Sequence, residues 1–195
     1  VTQLYKSAGG LEKALAMFDR LSKELKTPFQ SIEIQRAYIR IDMGKMKDAL
    51  DILRSAMQTF PDSDVVAMLL ALTYNWQDQR DEALETLSKI RPDSNYFLRA
   101  TEMKVEIHQK REKYQDIVTL MESLPGDLEL SREIVAVWAR AYSEIKNDKK
   151  ALALVEKYGS KEPDNPYFEF LRGVYLEKLG DVEEAIDAMN RTITL

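Results

Sequence analysis

His108 is the only histidine in the chain, and there is no cysteine. A lone imidazole can serve as a general base or a metal ligand. Either role needs partners, and the sequence supplies few. No second histidine completes an H-E-x-x-H pattern, and without thiols no zinc pattern is available. Gly9-Gly10 stands alone as a glycine pair and reads as the end of a helix, not as a phosphate-binding loop. His108 therefore reads as a packed, half-exposed side chain between helices. The carboxylate pairs Asp62/Asp64 and Glu183/Glu184 could be imagined as acid–base or metal partners. Both lie at helix starts, where carboxylates cap free amides and favour the helix dipole. The basic stretch "HQKREKY", residues 108–114, reads as a solvated turn between helices. The sequon Asn190-Arg191-Thr192 falls inside a helix. The residue types thus point away from catalysis, metal and cofactor, and the chain reads as a non-enzyme.

Composition bounds the rest. The chain has 195 residues, 45% hydrophobic and 31% charged, enough for a real core. Seven glycines and six prolines are too few for a protein built of tight β-turns. The net charge of -5 offers no basic stripe for nucleic acid. The longest apolar run, "VVAMLLAL" at residues 65–72, is far short of the roughly 20 residues of a membrane-spanning helix. No leader peptide is visible, and the absence of cysteine leaves the compartment open. The chain begins at Val1, and the reading is of a piece of a longer protein.

The elements that would position any site come from a repeat. Ala14, Ala49, Ala83, Ile117, Ala151 and Ala185 are spaced by 35 and then by 34 residues throughout. A second ladder runs through Ala37, Ala71, Val105, Ala139 and Gly173, with a constant spacing of 34. Each period reads as two helices. "DVVAMLLALTYNW" is helix-compatible, "QDQRD" breaks it, and "EALETLSKI" resumes helical spacing. "FPDS", "RPDS" and "EPDN" (starting at Phe60, Arg91 and Glu162) stop the second helix and offer a cap to the next. Antiparallel helices lie about 8–10 Å apart, and small residues at the crossing allow the close end of that range. The ladders therefore read as packing positions.

A period of 34 with paired helices resembles the tetratricopeptide repeat family. The match is carried by "NPYFEFLRGVYLEKLGDVEEAIDAMNRTI" at the end, by Leu70, Ala71, Tyr74 and Ala83, and by Trp138, Ala139, Tyr142, Ala151 and Pro163. It weakens in three places. The unit holding Val105 and Ile117 lacks both alanines. The second helices before Pro92 and Pro125 end early. Residues Glu33, Arg36 and Arg40 occupy apolar slots, and Ile34, Tyr38 and Ile41 suggest a face rotated by about one residue. The expected fold is all-α: an α-solenoid, a right-handed superhelix of about five and a half helical hairpins, eleven helices in all. The expected division is a lone second helix in 1–29, repeats at 30–63 and 64–97, a degenerate repeat at 98–131, and repeats at 132–165 and 166–195. The last has no polar cap, so that Ile186, Met189 and Ile193 would face a further helix.

The resemblance implies a protein–protein interaction scaffold or adaptor that holds a peptide or protein segment in a concave groove lined by first helices. Carried over unit by unit, the groove residues are Ile34 and Tyr38; Met68, Leu72, Asn75 and Trp76; Arg99, Glu102, Glu106 and Gln109; Arg140; and Phe170 and Val174. The carboxylate clamp of chaperone-binding members needs Lys and Asn one turn apart, where this chain has Ile34 with Tyr38 and Met68 with Leu72. An apolar or amphipathic segment is the expected ligand, in preference to an acidic C-terminal tail. No nucleic acid, membrane insertion or cofactor is expected. Two other readings stand beside it: a regulatory or targeting arm of a larger protein whose catalytic domain lies outside this chain, and a self-assembly module acting through uncapped ends. The wording "FLRGVYLEKLGDVEEAI" resembles repeat proteins of bacterial cell envelopes. The expected setting is a soluble one, the periplasm or envelope, or else the cytoplasm.

Overall fold

The computed structural model describes residues 9–126 and 128–194. Among them are eleven helices and no strand. In chain order these are α1 (Gly10–Glu24), α2 (Gln30–Asp42), α3 (Met46–Thr59), α4 (Asp64–Trp76), α5 (Arg80–Leu87), α6 (Phe97–Lys110), α7 (Tyr114–Glu122), α8 (Arg132–Glu144), α9 (Asp148–Gly159), α10 (Pro166–Leu179) and α11 (Val182–Thr194). Two compact units divide the chain, Val1–Lys104 and Val105–Leu195, with the boundary inside α6.

The helix boundaries have local causes. Ser63 accepts a hydrogen bond from the Val66 amide and starts α4; Ser131 does the same for Ile134 in α8. Asn165 caps α10 from one residue before Pro166, whose missing N–H costs nothing in the first turn. At the other end of each first helix a single turn design recurs. Residues 44, 78, 112, 146 and 180 all have positive φ, between 55° and 90°. Around each, the following amide donates to the carbonyl five residues back: Lys45 to Arg40, Gln79 to Tyr74, Lys113 to His108, Asn147 to Tyr142 and Asp181 to Leu176. The positive-φ residue itself donates three residues back. This pair of bonds is the Schellman closure of a helix C-terminus. Its recurrence every 34 residues turns each first helix into its second. Only two of the five turns, Gly44 and Gly180, use glycine. Gly9 adopts the same left-handed conformation before α1, and Gly10 is the first residue of that helix. The helix that this pair was expected to end lies outside the described residues.

In the first unit α1 packs on α2, α2 on α3, α3 on α4 and α4 on α5. Ala37, Ala49, Ala71 and Ala83 are fully buried where these helices cross. α4 is buried nearly all round, from Val66 to Ala71 and again at Thr73 and Tyr74, as its continuous apolar sequence requires. The expected rotation of α2 is absent: Ala37 and Ile39 are buried, while Tyr38 is exposed. The charged residues keep their slots by pairing. Arg36 donates to Asp19 at 2.7 Å and to Glu33 at 2.6 Å, and Ser22 donates to Glu33. Burial works against the Arg36 charge, but these acids outweigh it and raise its pKa further.

In the second unit α7 packs on α8, α8 on α9, α9 on α10 and α10 on α11. Its core joins Val105, Ile117, Val135, Ala139, Ala151, Val155 and Tyr175. Val105 and Ile117 hold the two ladder slots without alanine and are fully buried. The short α5 and α7, 8 and 9 residues, match the early stops before Pro92 and Pro125. At Gly173 a Cβ would come within 2.9 Å of Met189 Cε, so the glycine makes room for a methionine of α11.

Candidate functional site

The period of 34 puts the residue after each small ladder position in one shared slot. In that slot stand Tyr38, Leu72, Glu106, Arg140 and Val174. One turn earlier stand Ile34, Met68, Glu102 and Phe170. These are first-helix positions, and the structure treats them unequally.

In the first unit Tyr38 is 40% exposed and Trp76 53%, while Ile34, Leu72 and Asn75 are half-buried. Met68 is only 5% exposed. It fills the interior of α4 and has little surface to give a partner, because that helix is enclosed on most sides. Arg99 is exposed and sits 3.1 Å from Glu102 of its own helix. In the second unit Glu106 is exposed and Gln109 half-buried. Arg140 is exposed and lies 3.6 Å from Glu144. Phe170 is 45% exposed and Val174 half-buried. The first unit thus shows large apolar and aromatic side chains on α2 and α4. The second shows charge on α6 and α8 and one aromatic on α10. Several surface hollows lie elsewhere. One of about 510 Å³ lies over Lys47, Asp51, Arg54 and Gln79, one of about 460 Å³ over Asp64, Arg91 and Tyr96, and one of about 360 Å³ over Met57, Tyr74, Glu85 and Lys89.

His108 lies in the last turn of α6, and its Nδ1 lies 3.6 Å from Asp116 Oδ2 on α7. Its register explains the contact. Arg40 and Asp48 occupy the corresponding positions two periods of 34 earlier and pair at 2.7 Å. Two hairpins after Arg40 and Asp48's unit is the pair His108/Asp116; next come Tyr142 and Lys150, whose ammonium lies 5.3 Å from the ring centre. In these three hairpins the slot ties the first helix to its second across the turn with three different residue pairs. Among the described residues no group of three His, Asp or Glu side chains is placed to hold a metal. The basic stretch after His108 is the α6–α7 turn, with Glu112 at φ 55°. Asp64 opens α4, and Arg91 donates to it at 3.2 Å. Burial pushes the Asp64 carboxyl up, but Ser94 and Arg91 outweigh that and hold it below the usual range.

One pair of clusters escaped sequence reasoning. In the first unit Arg54 Nε donates to Tyr74 Oη at 3.0 Å, and its guanidinium lies 5.3 Å from that ring. Hydrogen bonding to Tyr74 leads the rise of the Arg54 pKa, and the nearby charge of Glu82 adds to it. In the second unit Tyr142 Oη donates to Glu122 at 2.7 Å, and Lys150 Nζ to the same carboxylate at 2.8 Å. Residues 54, 74 and 82 lie two periods of 34 before 122, 142 and 150. The tyrosine is kept while the acid and the base have changed places. Only comparison of residues 68 apart would have brought these out.

No functionally curated protein matches the chain. Residues 40–95 match the model of the tetratricopeptide repeat. Among solved structures, the C-terminal part of a TPR repeat-containing protein from Cytophaga hutchinsonii is similar with a TM-score of 0.74. It is 13% identical, and the similarity covers 99% of this chain and 76% of that one. YrrB, described as a TPR protein with an unusual peptide-binding site, is similar at 0.66 and 14% identity, over 91% of each chain. MamA from Desulfovibrio magneticus RS-1 is similar at 0.64 and 13% identity, over 85% of this chain and 94% of that one. At such identities the structures speak for the fold, and that fold is the all-α solenoid, in general a protein-interaction module. The recurring turn, the two buried ladders and the sequence match agree: residues 40–95 are tetratricopeptide repeat, and the chain around them shares the all-α fold of such proteins.

Proposed function

We propose that the chain is a binding scaffold that receives an apolar or amphipathic segment of another protein on the first-helix face of its first unit. The observation that carries this is the exposure of Tyr38 and Trp76 beside the half-buried Leu72 and Ile34. Large aromatic side chains left in water are costly to solvation and are the usual anchors of protein interfaces. Arg99 and Glu102, paired with each other on α6, supply charge that orients a ligand more than it holds one. The face has no Lys–Asn pair for a terminal carboxylate, which favours an internal apolar segment over an acidic tail. The second unit's Glu106, Gln109, Arg140, Phe170 and Val174 form a separate surface of mixed character. The peptide-binding site named for YrrB supports this class of ligand. The chain acts by binding, with no turnover of its own; His108 serves the helix pair in which it sits.

Selection of peptides from a random displayed library against the purified chain tests this. The expected binders are rich in Leu, Phe, Trp or Ile and lose about tenfold or more in affinity to Leu72→Asp. They lose less to Glu106→Gln, whose effect is mainly on salt dependence. Binders that ignore Leu72→Asp but are lost on Glu85→Lys would move the working surface to the second helices and overturn the proposal.

A further inference from the structure

A phenol has one proton to donate, and Tyr142 gives it to Glu122 at 2.7 Å. Lys150 Nζ donates to the same carboxylate oxygen at 2.8 Å. Lys150 first and Tyr142 second hold the Glu122 carboxyl below the usual range. In the second unit, then, a tyrosine hydroxyl and a cation grip a carboxylate that the chain supplies from α7.

In the first unit the slot of Glu122 holds Arg54. Arg54 Nε donates to Tyr74 Oη at 3.0 Å, with the guanidinium 5.3 Å from the ring centre. The phenol oxygen is the acceptor there, and among the described residues its own proton meets no acceptor. Glu82 stands in the slot of Lys150, but it accepts from Gln79 at 3.3 Å and is not ion-paired with Arg54. Asp51, at 3.5 Å, is the one acid within ion-pair distance of Arg54 among the described residues. The hydroxyl and the cation are present, and the carboxylate they grip in the second unit is missing.

There is room for one. Arg54 lines both the hollow of about 510 Å³ and the hollow of about 360 Å³ that Tyr74 also lines. Lys47 and Gln77, in the wall of the larger, are exposed and their side chains have no partner among the described residues. Two bases, Lys47 and Arg54, stand against one acid, Asp51, in that wall. A singly charged group balances them, whereas Asp51 would oppose a phosphate dianion. The flat guanidinium fork also matches the shape of a carboxylate. We infer that Arg54, Tyr74 and Lys47 form a receptor for one carboxylate, the Asp or Glu side chain of a partner protein. It lies on the α3–α5 side of the first unit, apart from the first-helix face proposed above.

The test is an NMR titration of the isotope-labelled chain with the blocked peptide acetyl-Gly-Gly-Glu-Gly-Gly-amide. The same peptide with Gln for Glu, and inorganic phosphate, are separate arms. The Glu peptide is expected to bind in the millimolar range, as a few charge-assisted hydrogen bonds allow, shifting the Arg54 Nε–H and the Gln77 amide. The Gln peptide should bind at least about fivefold more weakly. Arg54→Gln should weaken Glu-peptide binding about tenfold or more. Tyr74→Phe keeps the ring beside the guanidinium and removes only the hydroxyl, and should weaken binding about threefold or more. Lys47→Gln should weaken it about twofold and lessen its salt dependence. Glu82→Gln, which removes a nearby acid, should tighten it. Leu72→Asp should leave it unchanged, which separates this site from the first-helix face. Helicity checks each variant, and Arg54→Gln carries the test should Tyr74→Phe fail to fold. The inference is overturned if the Glu peptide does not bind, if the Gln peptide binds alike, or if Arg54→Gln leaves binding intact. It is equally overturned if Glu82→Gln weakens binding, or if phosphate binds more tightly than the Glu peptide.

Discussion

The turn between first and second helix offers a quantitative test inside one unit. Lys146 has φ 64° and Gly180 φ 90°, in the same closure one period apart. A non-glycine residue in the left-handed region costs roughly 1–2 kcal/mol. Glycine gives back roughly 0.5–1 kcal/mol because it loses more freedom on folding. Lys146→Gly should therefore stabilise by about 0.5–1 kcal/mol. Gly180→Ala should destabilise by about the same amount. No heavy atom lies within 4 Å of a Cβ built at Gly180, so the loss reports backbone strain without a clash. Gly126, also open within 4 Å but without positive φ, is the control, and Gly126→Ala should be neutral or slightly stabilising. Reversible urea unfolding followed by circular dichroism reads the differences. With a slope of about 2 kcal/mol per molar, the midpoints should separate by roughly 0.2–0.5 M in each direction. Glu112→Gly should behave like Lys146→Gly, and Asp78→Gly should gain less, because Asp tolerates this conformation better. The reasoning fails if Gly180→Ala proves as harmless as Gly126→Ala, or if Lys146→Gly lowers the midpoint.

Ala83 is fully buried where α4 and α5 cross, so Ala83→Leu should cost about 1–3 kcal/mol by overpacking; an unchanged denaturation midpoint would contradict that. Burial, with nearby acidic charge, pushes the Tyr175 hydroxyl up from 10.0 to about 12. Its folded pKa is raised, so its contribution is whole below pH about 10 and lost as pH rises towards about 12. Alkaline unfolding monitored by helicity should flatten over that window in Tyr175→Phe. Asp64 has the opposite sign: its pKa is lowered in the fold. Its contribution is therefore present above the ordinary aspartate value, about 4, and lost as pH falls through the folded value. Asp64→Asn should reduce the acid dependence of the urea midpoint below that pH, and an unchanged acid slope would count against the Arg91 pairing.

The sequence by itself determined the helical hairpins, their number and their period. Small residues recur in most of the slots where two helices cross closely, Val105 and Ile117 excepted. Ala83, Ala151 and Ala185 declare the crossing through residue type alone. The turn was legible only at Gly44 and Gly180. At Asp78, Glu112 and Lys146 the same left-handed conformation is imposed by hydrogen bonds closing two helices, against local preference, so no residue type announces it. Candidate surface residues were legible by slot but not by exposure. Met68 and Leu72 lie one turn apart on α4, yet neighbouring helices enclose the first more fully than the second. Likewise α2 reads as rotated because charge fills its apolar slots; only the packed α1–α2 pair brings Asp19 and Ser22 to Arg36 and Glu33 and keeps Ala37 buried. The exchanged acid and base around Tyr74 and Tyr142 have the same origin. A side chain's partner across helices is chosen by packing in three dimensions, and a period along the chain records the slot without naming what will meet it there.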